Sequence, residues 1–356
     1  MREFYYKYLK WLGEDKDNNR EVVVSTRIRI ARNLEDFVFP SQLLESQRKR
    51  ILNKVEWVYK NETRFSEYDF LKLEKLPNIV LDALVEKHLI SSDHLENIRG
   101  AGLLVDKSGK LSVMINEEDH FRLQVLSSGL ELKESWKKLL SLEEIFSDYF
   151  KFAFDDKFGY LTSCITNLGC GVRISFVVHL PALTYSGKIK DFLKKLRSNK
   201  ILIRGIYGER SKPIAGFYQI TSRSSLGIAE EELIEKMEKV ARKIIDEEVI
   251  VREFLFREKR RYVEDIVARA YGILSNARYL NSLEAINLLS DLRFGIYFKM
   301  LDISMKVLDL LMILILPGHL QTKYGRGMDP EERDGVRADL LRVFLKNYKI
   351  NQGGVI

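Results

Sequence analysis

Two arginines separated by one residue stand in a stretch that otherwise has the pattern of a β-strand. Residues 21–30 (EVVVSTRIRI) begin as a β-branched run and then alternate, which predicts a strand. Successive side chains of a strand point to opposite faces, so Arg27 and Arg29 project from the same face. Because two like charges repel unless an anion lies between them, the pair indicates an anion-binding face or an exposed face with carboxylate partners.

An acidic cluster lies between two further predicted strands. Residues 116–122 (NEEDHFR) place three carboxylates in a row and end on Arg122. Such a triplet is typical of a solvated turn. A catalytic role would require one of the carboxylates to point inward beside Arg122.

Two segments that contain glycine carry the remaining candidates. Residues 159–173 (GYLTSCITNLGCGVR) combine glycines with small hydroxyl side chains, so backbone N–H groups can approach a ligand closely. Cys164 is either a small buried hydrophobic residue or a reactive thiol whose pKa Arg173 would lower. Residues 204–209 (RGIYGE) begin with an arginine and end with a carboxylate, a pattern that alone would pass as a hairpin.

Together, the four segments indicate a site for a highly charged anion. ATP in a magnesium complex fits, because phosphoryl transfer depends mostly on positioning and on charge neutralisation, which arginine forks provide. Mg²⁺ needs few protein ligands there, since phosphate oxygens and waters complete its octahedron, and no metal-binding residues are predicted. The carboxylates suit a guanidinium acceptor, whose high pKa requires a general base. The set comprises Arg27, Arg29, Arg122, Arg173, Arg204, Glu118, Glu209 and Cys164.

The motifs resemble the guanidino phosphotransferases, the family of arginine and creatine kinases, and most closely the bacterial protein-arginine kinases of the McsB type. STRIRIARN, NEEDHFRLQ, GYLTSCITNLGCGVR and RGIYGE occur in the family's order within residues 1–250. By this resemblance, the five arginines cradle the ATP phosphates, and Glu118 and Glu209 orient and deprotonate the guanidinium. Cys164 matches the family's reactive cysteine, a thiolate against the guanidinium, and His88 matches a histidine near the adenine.

The resemblance also covers the two ends of the chain. Arginine and creatine kinases carry a helical domain before the first arginine motif, and the short segment before Arg27 implies an open site that admits a protein side chain. Near the C-terminus, RDGVRA resembles an allosteric phosphoarginine-binding motif, formed by Arg333, Asp334 and Arg337; a solvated helix face is the alternative. Three positions depart from the family pattern: Ile165 in place of proline, Cys170 in place of threonine and Arg210 in place of glycine.

The elements that position these residues predict an α+β fold. We expect an antiparallel-sheet guanidino-kinase catalytic domain over residues 1–250. An all-helical C-terminal domain over 251–356 would serve dimerisation and phosphoarginine or substrate docking. Residues 1–20 look irregular. Predicted strands cover 21–30, 103–106, 111–115, 120–126, 172–180, 201–207 and 217–221. Predicted helices cover 42–59, 76–88, 130–150, 189–196, 229–256, 258–278, 282–299, 303–316 and 330–347.

Composition excludes several other classes of protein. The 356 residues are 46% hydrophobic and 31% charged, a globular balance with a net charge of +7 that has no clustered basic patch. Two cysteines and five histidines form no disulfide framework or zinc signature, and neither Rossmann nor P-loop motifs occur. The N-terminus is not a secretory signal, and the apolar run at 307–316 is too short for a membrane span. We therefore expect a cytoplasmic protein.

The sequence thus predicts an ATP- and Mg²⁺-dependent kinase that phosphorylates arginine side chains in proteins. The resemblance further implies a homodimer, a zinc-binding activator protein, and delivery of marked proteins to a Clp-type chaperone–protease, with no membrane or nucleic-acid partner. Three alternatives stay open: a phosphagen kinase for free arginine, a phosphoarginine-binding adaptor with a weak catalytic site, and a nucleic-acid-binding protein.

Overall fold

One large antiparallel sheet and a set of helices make up the fold. The computed structural model describes residues 1–13, 19–198, 201–206, 213–223, 226–346 and 348. Within these ranges the strands are β1 Val23–Arg32, β2 Tyr68–Lys72, β3 Gly102–Asp106, β4 Leu111–Ile115, β5 Phe121–Ser128, β6 Phe154–Asp155, β7 Gly159–Tyr160, β8 Val172–His179, β9 Ile201–Arg204 and β10 Phe217–Ser222. The α-helices are α1 Glu45–Asn61, α2 Asn78–Glu86, α3 Ser92–Glu96, α4 Leu132–Tyr149, α5 Pro181–Tyr185, α6 Ile189–Ser198, α7 Glu230–Glu258, α8 Arg260–Asn276, α9 Ser282–Tyr297, α10 Met305–Leu314, α11 Pro317–Tyr324 and α12 Pro330–Leu345.

The main sheet has eight strands in the order β2-β3-β4-β5-β1-β8-β10-β9, and β6 and β7 form a separate two-stranded sheet. Neighbouring strands of the main sheet pair antiparallel throughout. The predicted α+β class is therefore confirmed. The strand that carries the first arginine pair is central, between β5 and β8.

Most predicted elements occur within a few residues of their predicted bounds, but several elements were not predicted. Strand β2 was missed because its five residues are all half-buried and show no clear alternation. Helix α11 was also missed, since its first turn contains Pro317 and Gly318, and it is capped by a residue distant in sequence. The N-terminal residues predicted to be irregular form two short 3₁₀ turns, Arg2–Tyr5 and Lys10–Gly13.

Strand alternation separates two apolar cores on opposite faces of the sheet. On one face, residues such as Ile28 of β1 pack with Val55 of α1 and with side chains of α4 and α7. On the other face, Leu103 of β3 packs with Leu84 of α2 and with Trp11 of the N-terminal turns. Each fully buried aliphatic side chain contributes about 1.5–3 kcal/mol. The second face becomes polar over β5, β1, β8 and β9, where the candidate site lies.

The N-terminal and C-terminal parts of the chain meet through buried charges. Helix α7 has 29 residues and crosses the predicted domain boundary at residue 250. Asp309 of α10 pairs with Arg20 at 2.8 Å and with Arg293 of α9 at 2.9 Å. Arg293 also donates to the Glu21 carbonyl at 2.8 Å, next to β1. The boundary itself stays a prediction.

The apolar run near the C-terminus is divided between two helices. Among the described residues, no single helix is long and apolar enough to cross a membrane. Helices α10 and α11 reach the length and apolar composition of a membrane span only when taken together, and the pair is bent by 79°.

Candidate active site

Strand register brings five predicted arginines onto one face of the sheet. Arg29 of β1 is the direct partner of Arg173 of β8 and of Gln124 of β5. Cross-strand partners share a face, and so do residues two apart on one strand, which adds Arg27 and Arg122 to this group. Arg204 of β9 joins the same face through its partner on β10.

The charges of these arginines act on one another. Burial, followed by three neighbouring positive charges, lowers the pKa of the Arg27 guanidinium to about 10. These neighbours are Arg122, Arg173 and Arg204. Burial and nearby arginines also hold the pKa of Arg29 well below its usual value. The Nε atom of Arg29 is buried and has no hydrogen-bond partner among the described residues. A concentrated positive charge of this kind fits the phosphates of a nucleotide.

His88 lies beside this arginine cluster, just after the end of α2. Its φ angle of 60° is in the left-handed region, and its carbonyl accepts a hydrogen bond from Gln124 Nε2 at 2.8 Å. Burial, then the charges of Arg27 and Arg29, lowers the pKa of His88 to about 4, so the ring is neutral at pH 7. A neutral ring suits contact with an uncharged base, although the predicted adenine contact stays a prediction.

The acidic triplet is not a solvated turn. The Glu117 side chain is almost fully buried. It forms a salt bridge with Arg122 at 2.8 Å and accepts a hydrogen bond from Ser91 Oγ at 2.5 Å. Asp119 is completely buried. Glu118 is the exposed member, with 40% of its side chain accessible, and it accepts a hydrogen bond from Arg122 Nη2 at 3.0 Å.

Glu118 combines a partly exposed carboxylate with a raised pKa. Burial raises its pKa, and the neighbouring Asp119 and Glu117 carboxylates raise it further, while Arg122 acts in the opposite direction. A carboxylate with a raised pKa accepts a proton more readily at neutral pH than an ordinary surface glutamate. The carboxylate that points inward beside Arg122 is Glu117, whereas Glu118 contacts the same guanidinium from a partly exposed position, so the catalytic role of Glu118 stays a prediction.

The loop that carries Cys164 is held by contacts from the same region. The Cys164 Sγ atom lies 3.0 Å from Thr166 Oγ1, and the Cys164 carbonyl accepts a hydrogen bond from Thr162 Oγ1 at 2.9 Å. The amide of Ser163 donates to Asp119 Oδ1 at 2.7 Å, which joins the loop to the acidic segment. Ile165, which replaces the usual proline, is 77% exposed.

The matches with known proteins agree with this geometry. Residues 50–251 match the ATP:guanido phosphotransferase C-terminal catalytic domain, and residues 260–353 match the protein-arginine kinase McsB C-terminal domain. A protein-arginine kinase of Caldanaerobacter subterraneus subsp. tengcongensis is 41% identical over 332 residues, which are 92% of this chain and 98% of the relative. The chain belongs to the ATP:guanido phosphotransferases, in the protein-arginine kinase branch. The family prediction is thereby confirmed.

Further relatives extend the match. A protein-arginine kinase of Bacillus cereus strain AH820 is 39% identical over 352 residues, covering 98% of each chain. The duplicated taurocyamine kinase of Schistosoma mansoni has a similar fold, with a TM-score of 0.60 at 24% identity over 74% of this chain and 40% of that chain. A lombricine kinase gives a TM-score of 0.56 at 22% identity over 64% of this chain and 66% of the other. These structures are similar in fold alone.

The remaining predicted site residues lie outside the described residues or on helix α12. Glu209, the second predicted carboxylate, and the departure at Arg210 fall in residues 207–212, outside the described residues. In the phosphoarginine motif, Arg337 of α12 is only 1% exposed. Its guanidinium donates to the Ile315 carbonyl at 2.8 Å and to Asp334 at 2.5 Å, so a fully solvated helix face is excluded there.

Several residues of the site were not predicted from the sequence. Arg32 donates to Glu143 at 2.6 Å and to the Cys170 carbonyl at 3.0 Å, and it stacks on the Tyr160 ring at 3.4 Å. Asn33 contacts the acidic segment. Both residues belong to the STRIRIARN motif, where polar side chains at the end of a buried strand were the available signal.

The described residues around the arginine cluster include no protein metal site. Within the described parts of the chain, no group of three or more histidine, cysteine, aspartate or glutamate side chains is placed to hold a metal ion. Magnesium that enters with a nucleotide relies mainly on phosphate oxygens and water, so this donor set is compatible with Mg²⁺–ATP.

Proposed function

We propose that this chain transfers the γ-phosphoryl group of ATP to the guanidinium of arginine side chains in proteins. The observation that carries the proposal is the convergence of five arginines on one sheet face, beside Glu118 with its raised pKa. The protein-arginine kinases that match almost the whole chain support a protein as acceptor.

The proposed mechanism rests on what these residues bind and hold. A guanidinium nitrogen attacks the γ-phosphorus in line, an N–P bond forms, and the bond to the bridging oxygen of ADP breaks. Glu118 accepts the proton that the nitrogen loses. The arginine cluster neutralises charge on the phosphate oxygens, and bound Mg²⁺ supplies further neutralisation there. As the sequence resemblance implies, we assign Glu209 a part in orienting and deprotonating the guanidinium and Cys164 the part of a thiolate against it.

The test of this proposal is incubation of the chain with Mg²⁺–ATP and an unfolded, arginine-rich model protein. Mass spectrometry at neutral pH preserves the acid-labile N–P bond, and we expect phosphate on arginine. Phosphate on serine or histidine would overturn the mechanism. Turnover of free arginine alone, without protein phosphorylation, would instead identify a phosphagen kinase.

We further propose that Arg333 and Asp334 contribute to an allosteric phosphoarginine site. Support comes from their half-buried positions on α12 and from the charge of Arg333, which acts on the Asp82 carboxyl of α2. Free phosphoarginine should then alter kinase activity in the original chain and not in Arg333→Gln. An equal response in both proteins would contradict this site.

The remaining proposals concern assembly and cellular context. We propose a cytoplasmic homodimer that acts with a zinc-binding activator and delivers marked proteins to a Clp-type chaperone–protease. Analytical ultracentrifugation of the full chain tests the dimer, since a monomer at micromolar concentration would contradict it. Degradation of a phosphorylated substrate by the purified protease, compared with the unphosphorylated form, tests the delivery step.

A further inference from the structure

A buried carboxylate directly follows the proposed general base and is not used by the mechanism above. Asp119 has no solvent exposure. Its Oδ1 atom accepts hydrogen bonds from Asn33 Nδ2 at 2.6 Å and from the Ser163 amide at 2.7 Å. Its Oδ2 atom is buried and has no hydrogen-bond partner among the described residues. Burying a charged oxygen in this way is costly, so the site calls for an explanation.

The contacts of Asp119 join three segments that are far apart in sequence. Asn33 lies just beyond β1, and its Nδ2 also donates to the Leu161 carbonyl at 3.1 Å. Its Oδ1 accepts from the His120 amide at 2.9 Å. A single side-chain pair, Asn33 and Asp119, therefore holds together the acidic segment, the end of β1 and the loop before Cys164.

We propose that Asp119 is a positioning residue for phosphoryl transfer, which fixes the Glu118 segment relative to the Cys164 loop on either side of the acceptor guanidinium. The inference rests on the proposed function. Each anchor is one residue from a group that acts on the acceptor: Asp119 follows Glu118, and Ser163 precedes Cys164. A misplacement of about 1 Å in such a site costs on the order of 10²-fold in rate.

The charge of Asp119 acts on the same site. In the described part of the chain, the charges of Arg122, Asp119 and Glu117 act on Glu118. After burial, which is the largest influence, the two carboxylates raise the pKa of Glu118 and the guanidinium opposes them. Asp119 thus combines a geometric role with an electrostatic one, and a substitution that separates the two can be made.

Asp119→Asn and Asp119→Ala separate the two roles. The asparagine keeps an oxygen that can accept from Asn33 and Ser163, but it removes the negative charge that raises the pKa of Glu118. The acid limb of the pH profile for kcat/KM should therefore move to lower pH. The alanine removes both hydrogen bonds, and kcat should fall about 10²-fold with KM for ATP within threefold of the original value. Asp309→Asn, a buried carboxylate in the C-terminal half, is the matched control and should leave the pH profile in place.

A second measurement does not require activity. Alkylation of Cys164 by iodoacetamide, followed by mass spectrometry of its peptide, reports the order of the loop. We expect faster alkylation in Asp119→Ala, and a rate close to that of the original chain in Asp119→Asn and Asp309→Asn. Circular dichroism establishes that each variant is folded.

The outcomes are distinguishable from failure of the proposed function. If arginine phosphorylation is absent in the original chain, the alkylation rates still test the positioning role. An unmoved pH profile in Asp119→Asn together with kcat within twofold in Asp119→Ala would overturn the inference, as would unchanged alkylation in Asp119→Ala. If Asp119→Ala does not fold, Asn33→Ala removes one of the same bonds, and unchanged kcat and alkylation there would equally overturn it.

Discussion

Arginine side chains on one sheet face repel one another in the absence of an anion. Burial is the main cause of the lowered pKa values of Arg27 and Arg29, and the neighbouring positive charges lower them further because each makes protonation less favourable. Such an arrangement lowers the stability of the protein without nucleotide and increases the gain when phosphates bind. Phosphate binding therefore favours the clustered arginines, whereas the stability of the protein without nucleotide disfavours them.

The first prediction concerns Arg29. Arg29→Gln should raise KM for ATP by roughly 10–100-fold, since a hydrogen bond to a charged group contributes about 1.5–3 kcal/mol. The melting temperature without ATP should stay equal or rise, because one repelling charge is gone. The control is Arg99→Gln, an arginine whose side chain is 76% exposed, and both properties should be unchanged there. A lower melting temperature with unaltered ATP affinity would contradict the prediction.

The second prediction concerns Glu118, the proposed general base. Glu118→Gln should lower kcat by roughly 10²–10⁴-fold, because the amide cannot accept the guanidinium proton. ATP binding, measured by calorimetry, should remain within a few-fold of the original value. Glu144→Gln changes an exposed carboxylate of α4 and serves as the matched control. Retention of kcat in Glu118→Gln would assign proton transfer to another group.

Helix α11 shows how an element depends on a distant residue. Its first amides, Gly318 N and His319 N, donate to the Glu86 carboxylate at 2.7 and 2.8 Å, and His319 Nδ1 lies 2.6 Å from the same group. Glu86 belongs to α2, so this helix of the C-terminal half is capped by a helix of the catalytic half. A carboxylate at a helix N-terminus also interacts favourably with the helix dipole.

The third prediction tests the close approach of these two helices. A Cβ atom at Gly318 would lie 2.7 Å from the Ala83 backbone nitrogen, so Gly318→Ala should force α2 and α11 apart. We expect a loss of about 1–3 kcal/mol in the free energy of unfolding, measured in urea. Gly272→Ala is the control in α8, where nothing lies within 4 Å of the added atom, and it should stabilise by about 0.5–1 kcal/mol. Equal effects of the two substitutions would contradict the proposed contact.

At the scale of the whole molecule, buried polar residues tie the two halves of the chain together. Besides the Asp309 pairs, Glu248 of α7 accepts from the Ala182 amide at 3.0 Å and from Arg252 at 2.9 Å. Arg252 in turn donates to the His179 carbonyl at 3.1 Å. Because a buried charge left without its partner is costly, relative movement of the halves would break several such bonds together.

The fourth prediction concerns stability at acid pH. Burial lowers the pKa of both His94 and His120 to about 4, whereas an unfolded histidine titrates near about 6.5. Between these values the unfolded chain binds more protons, so the free energy of unfolding should fall as pH falls from about 6.5 to 4, by roughly 3 kcal/mol for each histidine. Above pH 6.5 these groups should have no effect. Urea unfolding at several pH values measures the slope.

The matched variant for this prediction is His120→Asn. Nδ1 of His120 accepts from the Leu34 amide at 3.1 Å, and an asparagine oxygen can take that place without titrating. The slope between pH 4 and 6.5 should therefore be smaller in the variant. An identical slope would show that His120 does not contribute to acid unfolding.

The local features of the site are predictable from the amino-acid sequence. Alternation predicted that Arg27 and Arg29 share a face, and the order of motifs identified the family and the α+β class. The last helix begins at the predicted residue, Pro330, and Asp329 just before it accepts a hydrogen bond from the Glu332 amide at 2.8 Å. The shared face and the helix cap depend on residues within one or two turns of each other, and each motif is a short continuous run, so sequence patterns contain them.

The tertiary structure alone decided which distant groups meet and which are buried. Only the strand order β5-β1-β8-β10-β9 brings Arg122, Arg173 and Arg204 to the face of Arg29. Likewise, three consecutive acids have the same local pattern in a solvated turn, yet here Asp119 is buried against Asn33 and Ser163. The reason is physical: charge repulsion, burial and pKa depend on distances in space, and residues separated by many positions acquire those distances only when the chain folds.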